Sequence, residues 1–149
     1  MRDLHKDMVI RPIREEELGA LVNLWKDSGL PFRPEGRDRM DRLSQQRRDD
    51  PDLFIGAFEK GTMIGAVIAS DDGRKGWINR LAVLPAFRRK GVGMDLVEES
   101  EKVLRKRERK VFAILIEGEN RASEDLFVGA GYRREDDIIY YVKRDDEAF

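Results

Sequence analysis

A short run of cations and glycines offers the clearest chemistry in this sequence. Its six residues are Arg88-Arg89-Lys90-Gly91-Val92-Gly93, and they follow an apolar run that ends at Pro85. The amide N–H groups in the first turn of a helix have no partners within the helix and carry a partial positive charge, so they attract anions. Glycines let these amides approach phosphate oxygens closely, and the three cations add charge-assisted contacts. The pattern therefore predicts a phosphate or pyrophosphate site at the start of a helix.

Two other phosphate-binding loops fit this run less well. The dinucleotide-binding fingerprint needs a third glycine, and Leu96 occupies that position. A Walker loop needs Gly-Lys followed by Ser or Thr, whereas Met94 and Asp95 follow here. An alternative without any ligand is that the glycines only open a turn and the cations face solvent. The order of strand, proline, cations and helix favours the anion site over that alternative.

The composition excludes several other kinds of site. The 149-residue chain has no cysteine, which excludes disulfides, thiolate metal sites and cysteine nucleophiles. Its single histidine, His5, argues against a histidine triad or a multi-histidine zinc site. The 29 Lys and Arg residues against 30 Asp and Glu residues give a formal net charge of −1, whereas a nucleic-acid-binding domain usually has a basic excess. We therefore expect no metal and no nucleic-acid partner.

The length predicts one domain over residues 1–149, with residues 1–7 as a flexible N-terminal extension. No apolar run is long enough to span a membrane, and no secretory signal is visible, so a cytoplasmic location is the default expectation. A monomer and a homodimer are both compatible with the sequence.

Hydrophobic periodicity predicts strands and helices around one sheet. In chain order, the predicted elements are a strand at 8–13, helices at 15–28 and 37–48, strands at 53–58, 63–69 and 77–83, a helix opened by residues 91–93, a strand at 111–116, a helix at 120–130, and final strands at 132–135 and 138–142. The order β-α-α-β-β-β-α-β-α-β-β predicts an α/β (α+β) fold, with a mixed central sheet and helices on both faces. The unit from Trp77 to Ile116 is expected to be a parallel crossover.

Several motifs together resemble the GNAT (GCN5-related N-acetyltransferase) superfamily. The run from Arg88 to Gly93 matches that family's Arg/Gln-x-x-Gly-x-Gly/Ala motif and follows a typical Leu-Ala-Val-x-Pro strand end at 81–85. The C-terminal part of the sequence also resembles a signature of the family, through Asn120, Ala122, Leu126-Phe127 and Ala130-Gly131-Tyr132. Features similar to its YpeA-like subfamily are Trp25, Asp52-Leu53-Phe54 and the turn from Asp72 to Trp77. The resemblance covers nearly the whole chain and implies the GNAT-like fold.

The resemblance implies that acetyl-CoA is the cosubstrate and lies between the strands at 77–83 and 111–116. The pantetheine arm would pair with the backbone at 81–83, the pyrophosphate would lie on the loop at 88–94, and the N–H near Val83 would stabilise the oxyanion. The residues implied to bind acetyl-CoA are Leu81, Ala82, Val83, Arg88, Arg89, Lys90, Gly91, Val92, Gly93, Met94, Asn120 and Phe127.

Proton transfer is the less defined part of the implied reaction. An ammonium has no lone pair, so a base must deprotonate the amine, and Glu117 or Glu119 is expected in that role with Asn79 holding a relay water. An ordinary solvated loop is the alternative for both carboxylates. Phe127 stands where many family members have the tyrosine that protonates the CoA sulfur. Tyr141 is expected as the acid, with Tyr132, Tyr140 and unassisted thiolate departure as alternatives.

The expected reaction is direct attack of a primary amine on acetyl-CoA in a ternary complex. The amine belongs to a small molecule, an amino acid or a protein N-terminus. Phe32, Arg33 and Trp25 are the candidate acceptor-binding residues, although the helical spacing of Trp25 equally fits the core. The alternative function is a non-catalytic acyl-CoA-binding sensor or partner module, which the phenylalanine at 127 and the lack of an unambiguous base motivate.

Overall fold

A mixed sheet of five strands forms the centre of the computed structural model, which describes residues 7–116 and 120–149. The strands are β1 (Met8–Pro12), β2 (Phe54–Glu59), β3 (Thr62–Asp71), β4 (Gly76–Val83) and β5 (Phe112–Ile114). They lie side by side in chain order, with antiparallel pairing from β1 to β4 and parallel pairing between β4 and β5. The parallel pair confirms the predicted crossover.

Helices cover both faces of this sheet. Over the described segments, the α-helices are α1 (Leu18–Ser28), α2 (Met40–Asp49), α3 (Val92–Lys106) and α4 (Arg121–Gly129). Short 3-10 turns lie at Glu15–Glu17, Pro51–Leu53 and Pro85–Phe87. None of the helices in these segments is long and apolar enough to cross a membrane. Nearly all of the proposed flexible extension, residues 1–6, lies outside the described residues.

Two apolar clusters hold the layers together, one on each face of the sheet. The α1-side core contains Trp25 and Phe54, whereas the α3-side core contains Ile55 and Leu96. Phe54 and Ile55 are neighbours in β2 and point to opposite faces, as successive strand residues do. Because both faces are covered, the inner strands read as almost continuous apolar runs. The α/β fold with helices on both faces is thus confirmed.

The last two predicted strands are wrong. Neither 132–135 nor 138–142 forms a strand in the described part of the chain, and Ile138 and Ile139 are 72% and 74% exposed. An apolar β-prone run is stabilised only when it gains cross-strand neighbours and a buried face. The edge strand β5 is only three residues long and therefore offers few hydrogen bonds to a further strand. The pattern in the sequence indicates a preference for a sheet but supplies no partner for it.

Candidate functional site

β4 extends well past its parallel neighbour, which opens a gap in the sheet. β5 pairs only with Gly76, Trp77 and Ile78. On its other side, β4 stays paired with β3 as far as Val83, which lies opposite Gly65. The stretch Asn79–Val83 therefore has no strand beside it on the β5 side among the described residues, and we call it the open edge. Five residues at 3.3 Å each give this edge a length of about 16 Å.

The backbone of Val83 faces the gap. The N–H of Leu84 donates to the Ile64 carbonyl oxygen of β3 at 2.9 Å, so Leu84 faces β3. Because successive strand residues direct their backbone groups to opposite sides, the N–H of Val83 points away from β3. The carbonyl oxygen of Val83 accepts a hydrogen bond from Arg88 Nε at 3.1 Å, which fits the same orientation. The Val83 N–H is thus placed to polarise a carbonyl in the gap.

A β-bulge at Asn79 sets which face each side chain of β4 occupies. The register between β3 and β4 shifts after Ile68, so Asn79 has no residue opposite it. Beyond the bulge, Leu81 packs on the α3 side and Ala82 on the α1 side. Asn79 is exposed, and its Nδ2 donates to Ser70 Oγ at 2.8 Å. Bulges of this kind often occur beside active sites, where they redirect a side chain.

The basic loop, residues 88–94, has a backbone suited to binding an anion. Arg89 and Gly91 both have positive φ angles, 62° and 85°. The first hydrogen bond of α3 runs from the Asp95 N–H to the Gly91 carbonyl at 3.0 Å, and α3 has no side-chain cap. Among the backbone hydrogen bonds of the described turns and loops, none has its donor N–H between Arg89 and Met94. Turns of this kind gather N–H groups into a concave surface that binds phosphates.

The three cations of the basic loop are used differently. Arg88 donates to the carbonyl oxygens of Val83 at 3.1 Å and Ser28 at 2.8 Å, so it braces the loop against β4 and α1. Lys90 Nζ lies 5.7 Å from the centre of the Phe87 ring. Arg89 and Lys90 are exposed, and neither forms an ion pair with a described residue. These two charges, rather than Arg88, are left to attract an anion.

The two glycines of the motif are required for different structural reasons. Gly91 has a left-handed backbone at the start of α3, which side chains other than glycine adopt only with strain. A Cβ on Gly93 would lie 2.8 Å from Leu126 Cδ1, so Gly93 lets α3 and α4 pack closely. Packing alone thus explains Gly93, whereas Gly91 shapes the loop that presents the amides.

α4 lies behind the gap. Asn120 Oδ1 accepts a hydrogen bond from the Ser123 N–H at 3.1 Å, so Asn120 caps this helix. Phe127 is only 6% exposed, and its ring centre lies 5.1 Å from that of Tyr132 in an edge-to-face contact. The Phe127 ring therefore supports the gap from within the α3-side core.

The tyrosines do not supply a positioned acid. The Tyr132 hydroxyl donates to Glu101 Oε2 at 2.7 Å, and burial together with this carboxylate raises the pKa of Tyr132 well above its usual range. A raised pKa makes Tyr132 a poor proton donor for a thiolate. Tyr141 is 86% exposed and belongs to no strand, so no described sheet contact holds it against the gap. The expected role of Tyr141 as the acid gains no support from this placement.

The carboxylates described near the end of β3 are not bases. Asp72 accepts hydrogen bonds from the Lys75 and Arg74 N–H groups and from Trp77 Nε1, and these lower the pKa of Asp72 to about 2. Asp71 pairs with Arg109 at 2.7 Å, which lowers its pKa as well. Both shape the turn before β4. The predicted bases Glu117 and Glu119 lie outside the described residues.

The three residues predicted to bind the acceptor differ in how deeply they are buried. Trp25 is completely buried in the α1-side core, which favours the alternative that its helical spacing places it in the core. Its helical spacing with other apolar residues gives the reason, because that whole face of α1 packs on the sheet. Phe32 is half-buried with its ring centre 6.2 Å from that of Trp25, and Arg33 is exposed.

The sequence reasoning missed Arg80 and Asp38. The Arg80 guanidinium lies 4.4 Å from the centre of the Trp25 ring, donates to the Pro31 carbonyl oxygen and approaches Asp38 Oδ2 at 3.6 Å. An arginine within an otherwise apolar strand was the available signal, because a buried charge requires a partner.

Comparison with known proteins agrees with this geometry. A family model described as the acetyltransferase (GNAT) family matches residues 18–132. An acetyltransferase of Sodalis glossinidius is 28% identical over 92% of this chain and 95% of its own length. An acetyltransferase of Pectobacterium atrosepticum is 30% identical over 88% of this chain and 92% of its own length.

Solved structures share the fold at lower identity. The PaiA N-acetyltransferase of Thermoplasma acidophilum in complex with coenzyme A superimposes with a TM-score of 0.76 at 22% identity, covering 87% of this chain and 91% of that one. AAC(6')-Iy in complex with the bisubstrate analogue CoA-S-monomethyl-acetylneamine gives a TM-score of 0.77 at 23% identity, covering 92% and 98%. At these sequence identities, the structural similarity establishes the fold of this chain.

These matches agree with the motif that the sequence carries. The family model spans most of the chain, including β4, the basic loop and α4. The curated relatives that align over nearly their full length are named acetyltransferases. The chain therefore belongs to the acetyltransferase (GNAT) family and is an acetyl-CoA-dependent N-acetyltransferase.

Proposed function

We propose that the open edge of β4 and the basic loop together hold acetyl-CoA for direct attack by a primary amine in a ternary complex. The observation that carries this proposal is their continuity along the chain. The unpaired edge ends at Val83, and the loop, whose N–H groups from Arg89 to Met94 donate none of the described loop hydrogen bonds, follows five residues later. An extended arm paired with Leu81 and Val83 then leads to a diphosphate on the N–H groups of residues 89–94.

The Val83 N–H is the proposed oxyanion donor. Attack by the amine nitrogen places negative charge on the thioester oxygen, and a fixed donor stabilises that charge without reorganising. One such donor contributes about 2.7–4 kcal/mol in other acyl-transfer enzymes. The orientation of the Val83 backbone away from β3 supports this assignment.

The proposed base is Glu117, with Asn79 placing a relay water. Glu117 follows β5 by three residues in the sequence, and Asn79 lies at the base of the open edge on the neighbouring strand. The amine must lose a proton before it attacks, since free lysine-type amines have a pKa near ~10.4. We therefore expect the rate to rise with pH as the amine and its base deprotonate.

We propose that the CoA thiolate leaves without a protein acid. Phe127 has no proton to give, and Tyr132 is bound to Glu101. A thiol pKa near ~8.5 makes the thiolate a tolerable leaving group that takes its proton from water. Tyr141 remains the candidate acid only in a conformation that brings it over the gap.

The acceptor is proposed to approach from the loop between α1 and α2, beside Phe32 and Arg33. Arg33 and Arg37 on this loop are exposed, and neither forms an ion pair with a described residue. These two exposed arginines outnumber the one exposed carboxylate between them, Glu35, and so repel further cations on an acceptor; monoamines and peptide N-termini therefore fit this surface better than polyamines do.

The test combines CoA binding with turnover. Calorimetry measures the Kd for CoA, and thiol release from acetyl-CoA is followed with an amino acid, an aromatic monoamine, a polyamine and a short peptide. We expect CoA binding and release of thiol with at least one monoamine or peptide. CoA binding without turnover of any amine would support the sensor alternative, which the acetyltransferase relatives do not favour.

A further inference from the structure

A buried ion pair ties the loop between α1 and α2 to the strand that borders the gap. We call residues 30–39 the acceptor loop. Arg80 on β4 and Asp38 in the acceptor loop have side chains that are only 16% and 7% exposed. Their closest charged atoms, Arg80 Nη1 and Asp38 Oδ2, are 3.6 Å apart.

The pair holds the acceptor loop at two separate points. Arg80 Nη2 donates to the carbonyl oxygen of Pro31 at the start of the loop. Asp38 Oδ2 accepts the N–H of Arg33 at 2.6 Å. Phe32 lies between these two anchored positions, and its ring contacts Trp25 beneath Arg80. The two residues proposed to meet the acceptor are therefore fixed by one arginine and one aspartate.

The position of Arg80 in β4 couples the acceptor loop to the gap. Arg80 follows the bulge at Asn79, which turns its side chain toward α1, and it precedes Val83 by three residues. A shift of the acceptor loop therefore requires movement of a side chain rooted in the open edge.

A contribution to the stability of the fold is a weak explanation for a buried ion pair at this position. Removing two charges from water costs about as much as their attraction returns, and apolar residues of similar size are often as stable. A second ion pair nearby, Arg39 with Asp41 at 2.7 Å, is exposed and anchors neither Pro31 nor Arg33. This exposed pair provides a matched control.

We propose that Arg80 and Asp38 are positioning residues that fix the acceptor loop relative to the open edge and thereby set the affinity for the acceptor amine. The inference rests on the proposed acetyl transfer, because the loop matters to catalysis only if the amine binds beside Phe32 and Arg33. It requires no contact between Arg80 and acetyl-CoA.

The experiment compares Arg80→Met, Arg80→Lys and Asp38→Asn with Asp41→Asn as the control. For each variant, calorimetry gives the Kd for CoA, and steady-state kinetics give kcat and KM for the amine with the highest wild-type turnover. Hydrogen exchange of the peptide that covers residues 30–39 reports on the loop itself, and thermal unfolding reports on the fold.

We expect Arg80→Met and Asp38→Asn to raise the amine KM about tenfold or more, the usual effect of losing one charge-assisted hydrogen bond. The CoA Kd should stay within about twofold and kcat within about threefold, because the substitutions leave the backbone of the open edge and the basic loop in place and the Arg80 side chain points away toward α1. Exchange in the acceptor loop should rise about tenfold, and Arg80→Lys should fall between Arg80→Met and the wild type. The control should match the wild type in all four measurements.

Three results would overturn the inference in distinguishable ways. A wild type that binds no CoA or acetylates no amine overturns the proposed function and this inference with it. Wild-type turnover with an unchanged amine KM in Asp38→Asn and Arg80→Lys overturns this inference alone. A fall in thermal stability with no change in loop exchange assigns the pair a purely structural role and also overturns it.

Discussion

The clearest test of the anion site is an added negative charge at Gly91. Gly91 lies at the start of α3 with φ of 85°, among the backbone N–H groups that would hold the diphosphate. A carboxylate at this position lies about 4 Å from a bound phosphate, where one pair of like charges costs about 1 kcal/mol in bulk water and about 4 kcal/mol near a protein surface. Since 1.4 kcal/mol is a factor of ten, Gly91→Asp should raise the Kd for CoA from about fivefold to several hundredfold.

The fold should tolerate this change. A non-glycine residue in a left-handed conformation costs roughly 1–2 kcal/mol, and a negative charge at a helix N-terminus returns about 0.3–1 kcal/mol. The net loss of about 1 kcal/mol corresponds to a fall in Tm of about 2–4 °C for a chain of this size. Gly91→Asn separates charge from shape, because Asn has the size of Asp and also enters the left-handed region readily.

Calorimetry with CoA and a thermal melt decide the outcome. Gly73→Asp is the matched control, because Gly73 has φ of 90°, meets no atom within 4 Å of an added Cβ and lies in the turn at the other end of β4. We expect Gly73→Asp to bind CoA as the wild type does and Gly91→Asn to bind better than Gly91→Asp. A folded Gly91→Asp variant with wild-type affinity would refute the assignment of the diphosphate to the basic loop.

Three further predictions concern packing, a hydroxyl and pH. Gly93→Ala places a Cβ 2.8 Å from Leu126 Cδ1, the flexible end of a side chain that can turn aside, and alanine is the better helix former, so the free energy of unfolding in urea titration should change by less than about 1 kcal/mol. Tyr132→Phe leaves Glu101 without its hydroxyl donor and should cost about 1–3 kcal/mol of stability with kcat retained, whereas a large drop in kcat would identify the hydroxyl as the acid. Hydrogen bonds from Arg11 lower the pKa of Glu17 to about 2. The stability from this pair is thus present above pH ~4.3, the usual glutamate range, and is lost as pH falls toward 2, so Glu17→Gln should be less stable than the wild type at pH 7 but not at pH 2.

Local patterns were sufficient for most of the fold. The i, i+3, i+4, i+7 spacing of Leu18, Leu21, Val22 and Trp25 predicted α1, and the glycine turn after Glu59 predicted the β2–β3 hairpin. The structure has both. Such signals work because each depends on neighbours within about ten residues. The strand predicted at 138–142 failed because pairing depends on a distant edge that a local pattern does not describe.

In the candidate site too, features that depend on neighbouring residues were predictable and features that depend on distant residues were not. The exposed amides of the basic loop were predictable, because a helix start and two glycines are local features. The burial of Arg80 and Asp38 was not predictable, since the two charges lie 42 positions apart in the sequence. The bracing of Val83 by Arg88 was missed for a related reason: a basic run suggests solvent or ligand, and only the fold brings a backbone carbonyl within 3.1 Å.

The gap beside β4 also has a consequence for handling the protein. A strand with unpaired N–H and C=O groups is a template on which another polypeptide can add. In the ligand-free protein, the open edge is a template of this kind, and the run at 138–142, which forms no strand, adds exposed apolar side chains. We expect bound coenzyme A to pair with the open edge and so block the addition of another polypeptide. The ligand-free protein should therefore self-associate on storage, whereas the protein with bound coenzyme A should stay monodisperse.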